Sequence, residues 1–140
     1  MALLQIIYTS HATVSLDTKS LRELAAGASR KNRAFGITGV LYCANEAYLQ
    51  VLEGDEKPVL LLYADILRDE RHEDIHTVAI RPIEQPNFPN WSMGLLEAVD
   101  EPIDLAEVLN RRDDRVGVWN DAKWHSILNT FRAELETIDP

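Results

Sequence analysis

The run Leu3-Leu4-Gln5-Ile6-Ile7-Tyr8-Thr9 is short, rich in β-formers and followed by turn-like residues, so it predicts a strand with Leu4, Ile6 and Tyr8 on one face. The period then lengthens. Leu21, Leu24, Ala25 and Ala28 recur at helical spacing, Asp17 stands as an N-cap, and Leu16 and Leu21 can staple across it, which predicts a helix to about Asn32. Gly36 to Cys43 reads as a second strand, Ala44-Asn45-Glu46 as a turn and Ala47 to Leu52 as a third strand, together a hairpin. Gly54 and Asp55 introduce a second helix that tolerates Pro58 in its first turn. It carries Val59, Leu62, Tyr63 and Ile66 on one stripe and closes in the polar Arg68-Asp69-Glu70-Arg71. A fourth strand is expected at Ile75 to Ile83, and Pro86 and Pro89 mark the loop to a fifth at Trp91 to Ala98.

The predicted order is βαββαββ, two βαβ units in succession, which is the arrangement of a ferredoxin-like α+β sheet. Beyond Asp100 the pattern changes to a short helix around Asp104 to Asn110, a polar stretch from Arg111 to Arg115, and a final helix from about Asn120. There Trp124, Ile127, Leu128, Phe131 and Leu135 follow i, i+3, i+4, i+7, i+11. That stripe must be buried. The strands are apolar on both faces, with Leu49 and Val51 opposite Tyr48 and Leu52, so the helix is expected to cover the second face of the sheet. Burial in a homodimer is the alternative.

Composition narrows the class. A chain of 140 residues has room for one domain, and 46% apolar with 26% charged residues describes a soluble globular protein rather than a disordered one. The net charge of −9 would repel a phosphate backbone, which disfavours nucleic acid as a partner. Cys43, the single cysteine, allows neither an internal disulfide nor a Cys-rich metal site and suits a reducing compartment. The longest apolar run, Val59 to Ala64, is too short to cross a bilayer, and the opening residues lack a secretory pattern, so a cytoplasmic protein is expected.

Common catalytic signatures are missing: the chain has no GxxxxGK, GxGxxG, GxSxG or HExxH. His72 and His76 are four apart but fall at a helix end and a strand start, without a third ligand, so no metal is expected. Lys19, Arg22, Arg30, Lys31 and Arg33 could receive a phosphate, yet on a helix such residues form a solvated face. Tyr8 and Gln50 are more informative, being polar groups among residues that otherwise read as core, where a phenol and an amide need partners. An amide that turns over or changes tautomer exchanges donor for acceptor at a fixed point and can act as a switch. Equally, a Tyr–Gln bond can merely rigidify a sheet.

Five ordered motifs carry a resemblance over roughly residues 3 to 98. They are Ile7-Tyr8-Thr9-Ser10, Ser29-Arg30-Lys31-Asn32 before Gly36-Ile37-Thr38-Gly39-Val40-Leu41, Leu49-Gln50-Val51-Leu52-Glu53-Gly54, Asp69-Glu70-Arg71-His72, and Trp91-Ser92-Met93-Gly94. In them the chain resembles a BLUF domain, the blue-light sensor that uses flavin, here of the short stand-alone type. The resemblance implies a five-stranded mixed sheet with the first two helices on one face, the flavin ring between them, and C-terminal helices on the other face. It implies a photosensor core at residues 1–98 and a helical extension at 99–140. Tyr8 becomes the light-driven electron donor, and Gln50 the bridge from its hydroxyl to the N5 and O4 edge of the ring. Asn32 holds the polar edge, Leu24 and Ile66 press on the two ring faces, and Asp69, Arg71 and His72 form a polar end of the second helix nearby. Family members often carry a second asparagine where this chain has Lys31 and a basic residue where it has Asp65, so Lys31 or Arg71 is left to compensate.

Trp91 and Met93 lie two apart on the expected fifth strand and so share a face, which brings one of them to Gln50 if that strand neighbours the third. Both are also plausible core fillers. The implied output is a shift of Met93 or Trp91 passed to the helix carrying Trp124 and Phe131, and from there to a downstream protein. The expected chromophore is FAD, with FMN or riboflavin open, and the expected class is a non-enzymatic photoreceptor, with a homodimer possible. A flavin-free interaction or small-metabolite module on the same scaffold stays as the alternative. So does an acylphosphatase-like hydrolase, for which no arginine and asparagine pair on a phosphate stands out. The colour of the purified protein separates the first two.

Overall fold

The computed structural model describes residues 2–14, 16–44, 46–97 and 121–138, the last segment with side chains from 125 to 137. The helix expected around Asp104 to Asn110, the following polar stretch and the side chain of Trp124 lie outside the described residues. The elements are β1 (Leu3–Ala12), α1 (Thr18–Ala34), β2 (Thr38–Ala44), β3 (Ala47–Asp55), α2 (Glu56–Leu67), β4 (His72–Ile83), β5 (Gly94–Glu97) and α3 (Asp121–Ile138). They form a five-stranded mixed sheet of order β4-β1-β3-β2-β5, antiparallel except where β5 runs parallel to β2. This is the ferredoxin-like α+β arrangement.

Local signals set the helices. Asp17 caps α1 by accepting the Ser20 N–H at 2.7 Å. At the far end the Asn32 carbonyl accepts from Phe35 at 3.0 Å and Ile37 at 2.9 Å, and Gly36 turns the chain with φ at +67°. α2 stops at Leu67, short of the expected polar end: the Arg68 and Asp69 N–H groups fold back onto the Asp65 and Ile66 carbonyls. Asp69 Oδ1 then accepts the Arg71 N–H at 2.9 Å, a side-chain turn that competes with further helix.

Strand ends depend on partners instead. β1 continues beyond Thr9 to Ala12 because His11 pairs Ala47 and Ala12 pairs His72, and the second pairing also starts β4 three residues before the expected Ile75. β5 begins only at Gly94, where its parallel pairing with Val40 begins. Gly39 is dictated by packing: a Cβ there would lie 1.9 Å from the Val51 carbonyl oxygen.

Two apolar layers flank the sheet. Ile6, Leu41 and Leu52 meet Leu21 and Ala25 of α1 and Val59 and Tyr63 of α2. On the other face Ile7, Val40, Tyr42, Leu49 and Val51 meet Leu128, Phe131 and Leu135 of α3, with Phe131 stacked on Tyr42 at 5.0 Å. The final helix therefore covers the second face of the sheet, as its stripe predicts. Its approach is close, since a Cβ on Gly94 would meet the Leu135 side chain at 2.6 Å.

Candidate functional site

α1 and α2 stand apart above the sheet and leave a cleft of about 550 Å³, within the range of small-molecule sites. Tyr8, Leu41, Tyr48 and Gln50 contribute from the strands, Leu24 and Ala28 from α1, and Leu62 and Ile66 from α2. Lys31, Asp65, Arg68, Asp69, Arg71 and His72 add polar and charged groups.

Tyr8 and Gln50 face one another in the β1–β3 register, so a single cross-strand pair supplies the polar contact. The Tyr8 hydroxyl donates to Gln50 Oε1, while Gln50 Nε2 donates only to Met93 Sδ at 3.5 Å, a weak acceptor. Both residues are buried, at 4% and 7% exposure. Burial, with Tyr63 and Asp69 nearby, pushes the Tyr8 phenol well above its ordinary range, so it keeps its proton as the donor. Tyr63 packs beside the Tyr8 ring at 5.4 Å and shares a hydrogen bond with the Thr77 hydroxyl.

His72 presents its edge to Tyr8 at 6.1 Å, and its two nitrogens contact Ser10 Oγ and the Ile66 carbonyl, each at 2.9 Å. A carbonyl can only accept, so Nε2 carries the hydrogen and, in the neutral ring, Nδ1 accepts from Ser10. The Arg71 guanidinium and N–H hold the Asp69 carboxyl down at about 2, against the partial burial that would raise it. Asn32 is buried and donates from Nδ2 to the Ser92 carbonyl at 2.7 Å, beside a hydrogen bond between the Ser29 and Ser92 hydroxyls. Lys31 and Asp65 pair with each other at 3.8 Å between α1 and α2. Both are half exposed and Asp65 also meets Arg68 at 2.5 Å, so the pair contributes little.

The structure thus brings Tyr8, Leu24, Lys31, Asn32, Gln50, Ile66, Asp69, Arg71 and His72 to one cleft. Trp91 and Met93 require a correction. They precede β5, outside the alternation of a strand, and pack on opposite faces: Met93 with the Tyr8 layer, Trp91 with the α3 layer and away from the cleft. β5 neighbours β2 rather than β3, and Met93 reaches Gln50 through its long side chain. Among the described residues no group of His, Cys, Asp and Glu is placed to hold a metal. Three participants have no site role in the sequence analysis: Tyr48, which alternation with Gln50 could have found, and Tyr63 and Ser92, whose contacts with Tyr8 and Asn32 are set by packing.

Apolar walls on two helices, with an amide and a phenol at the base, fit a flat heteroaromatic group that has one polar edge. Comparisons with known proteins agree. Residues 3–94 match the family described as "BLUF: Sensors of blue-light using FAD". The chain is 34% identical over 89 residues to the photoactivated adenylate cyclase subunit beta of Euglena longa, covering 63% of this chain and 10% of that protein. It is 34% identical over 70 residues to the blue light- and temperature-regulated antirepressor BluF of Escherichia coli (strain K12), covering 50% of this chain and 17% of that one. The chain therefore spans only a small part of these relatives. Among solved structures it resembles the dark state of BlrB, a BLUF protein, with a TM-score of 0.75 and 25% identity over 95% of this chain and 97% of that one. Among the described residues no helix is long and apolar enough to cross a membrane. A match running from the first residue of β1 to the first of β5, over the whole cleft, establishes that the chain belongs to the BLUF family of flavin-using blue-light sensors.

Proposed function

We propose that this chain senses blue light with FAD held between α1 and α2, and that the response is a rearrangement of Gln50 driven through Tyr8. One observation carries the reading: the buried Tyr8 phenol donates to Gln50 Oε1 while the amide's other end has only a thioether. When bound, the flavin supplies blue absorption and, once excited, a strong oxidant. Tyr8 gives up an electron from its ring and its proton along the bond to Gln50 Oε1. Return of both restores the phenol and leaves the amide turned over or in its other tautomer, with no net chemistry. Leu24 and Ile66 press on the two faces of the chromophore. Asn32, Lys31, Asp69, Arg71 and His72 hold its polar edge and the approach to it. FAD is the form named by the family description, and Lys31 and Arg71 are the cations proposed to serve its phosphates.

The output is a change of shape read by another protein rather than an enzymatic reaction of this chain. Met93 touches Gln50 and is followed by Gly94, which lies against Leu135 of α3, so the amide is linked to the far face of the sheet through two contacts and one peptide bond. A dark-minus-illuminated absorption spectrum of the purified protein tests the reading. A reversible red shift is expected, with FAD released on denaturation. Tyr8→Phe and Gln50→Leu are expected to keep the pigment and lose the shift. Colourless protein that cannot be reconstituted, or visible bands that stay put under light, overturns the proposal.

A further inference from the structure

A carboxylate that the photochemistry does not use is buried completely on the α3 side of the sheet. Glu53 lies three residues beyond Gln50 on β3 and is 0% exposed. A buried carboxylate is strongly destabilising unless its oxygens are satisfied, so its partners indicate what it is for. Oε1 accepts from the N–H groups of Asn87 and Phe88, each at 2.9 Å. Oε2 accepts from Gln5 Nε2 at 2.8 Å, from Asn87 N at 3.0 Å and from Asn87 Nδ2 at 3.1 Å. Gln5 is itself oriented by Arg81, whose Nε donates to its Oε1 at 2.7 Å. Every contact is an N–H donor, the set that an acceptor-only carboxylate satisfies and an amide cannot. A row of polar side chains thus crosses β4, β1 and β3 and ends on the backbone of the segment joining β4 to β5.

That segment changes sides. Phe88 and Trp91 are buried in the layer shared with α3, whereas Met93 is buried in the layer containing Tyr8. Between these points it is fastened again: the Trp91 carbonyl accepts from Gly39 at 2.9 Å, and the Ser92 carbonyl from Asn32 Nδ2 at 2.7 Å. One end therefore meets the amide proposed to switch, and the other is fixed to Glu53.

We infer that Glu53 is the positioning residue of the light response: it anchors residues 87–88 so that a displacement of Met93 is delivered to α3 instead of being absorbed by a slack loop. The inference rests on the photosensor reading and adds to it the point about which the segment moves. Glu53 touches neither the cleft nor Gln50, so its loss should separate transmission from photochemistry.

The test is Glu53→Gln in the full chain. The amide must set its NH₂ against donors already pointing at that spot, so the anchor loosens while side-chain volume is kept. In the dark, hydrogen exchange at the Asn87 and Phe88 amides is expected to quicken at least tenfold, a readout that needs no flavin photochemistry. Under light, the red shift should match the parent in amplitude. The light-induced exchange difference that the parent shows at residues 127–135 should be lost. If Glu53→Gln does not fold, Asn87→Ala removes one loop donor and is expected to give the same pattern in weaker form. The inference is overturned by parental exchange at 87–88, by an undiminished light difference in α3 of the variant, or by the absence of any such difference in a parent that does shift red. A parent without a red shift overturns the photosensor reading and this inference with it.

Discussion

The Tyr8–Gln50 contact can be measured without light. Tyr8→Phe removes the hydroxyl and leaves Gln50 Oε1 buried without its donor, and Gln50→Leu leaves the Tyr8 hydroxyl without its acceptor. Each orphaned group costs about 1–3 kcal/mol, whereas removing both partners together is close to neutral. Both groups line a cleft that water enters in the flavin-free protein, which sets the single-variant costs toward the lower half, about 1–2 kcal/mol. The double variant should then be close to the parent in stability, giving a coupling energy near the sum of the two single costs, about 2–4 kcal/mol. Urea unfolding of the flavin-free protein, followed by tryptophan fluorescence, measures all four corners of the cycle. At this chain length each kcal/mol also moves the melting midpoint by about 4 °C. Additivity within about 0.5 kcal/mol would mean that the two side chains do not interact, and the switch would lose its physical basis.

Three other outcomes follow from the same structure. Phe131→Ala empties a fully buried site stacked on Tyr42 and should cost about 3–5 kcal/mol, read as a lower urea midpoint. Gly39→Ala, whose Cβ would lie 1.9 Å from a backbone oxygen that no rotamer can move, should cost more than about 3 kcal/mol or prevent folding, checked by soluble yield and thermal melting. Asp69 is held at about 2 in the folded chain against 3.8 when free, so its contribution to stability is complete above pH 4 and is lost as pH falls toward 2. Partial exposure and the exposed Arg71 limit it to less than about 1 kcal/mol. Arg71→Ala should therefore flatten the fall in urea midpoint between pH 4 and 2, and an unchanged slope would sink the pairing.

The residues of the cleft were readable because five motifs bring them in order, and because Tyr8 and Gln50 stand out as polar positions in apolar strands. Helix starts were legible for a local reason: the Asp17 cap and the apolar stripes of α1 and α3 act within one or two turns. Strand ends were not, since β1 runs on to Ala12 and β5 waits for Gly94 according to partners far away in the chain.

The order of residues by itself determined the βαββαββ succession, the two-sided apolar sheet, a final helix with one buried stripe, and a phenol and an amide among core positions. Tertiary structure alone decided that Met93 and Trp91 part to opposite faces, that Tyr63 backs Tyr8, and that Glu53 closes on residues 87 and 88. Periodicity reports which side of a regular element a residue occupies. The segment between β4 and β5 has no period, so its path is set by donors, acceptors and cavities that exist only once distant strands have paired.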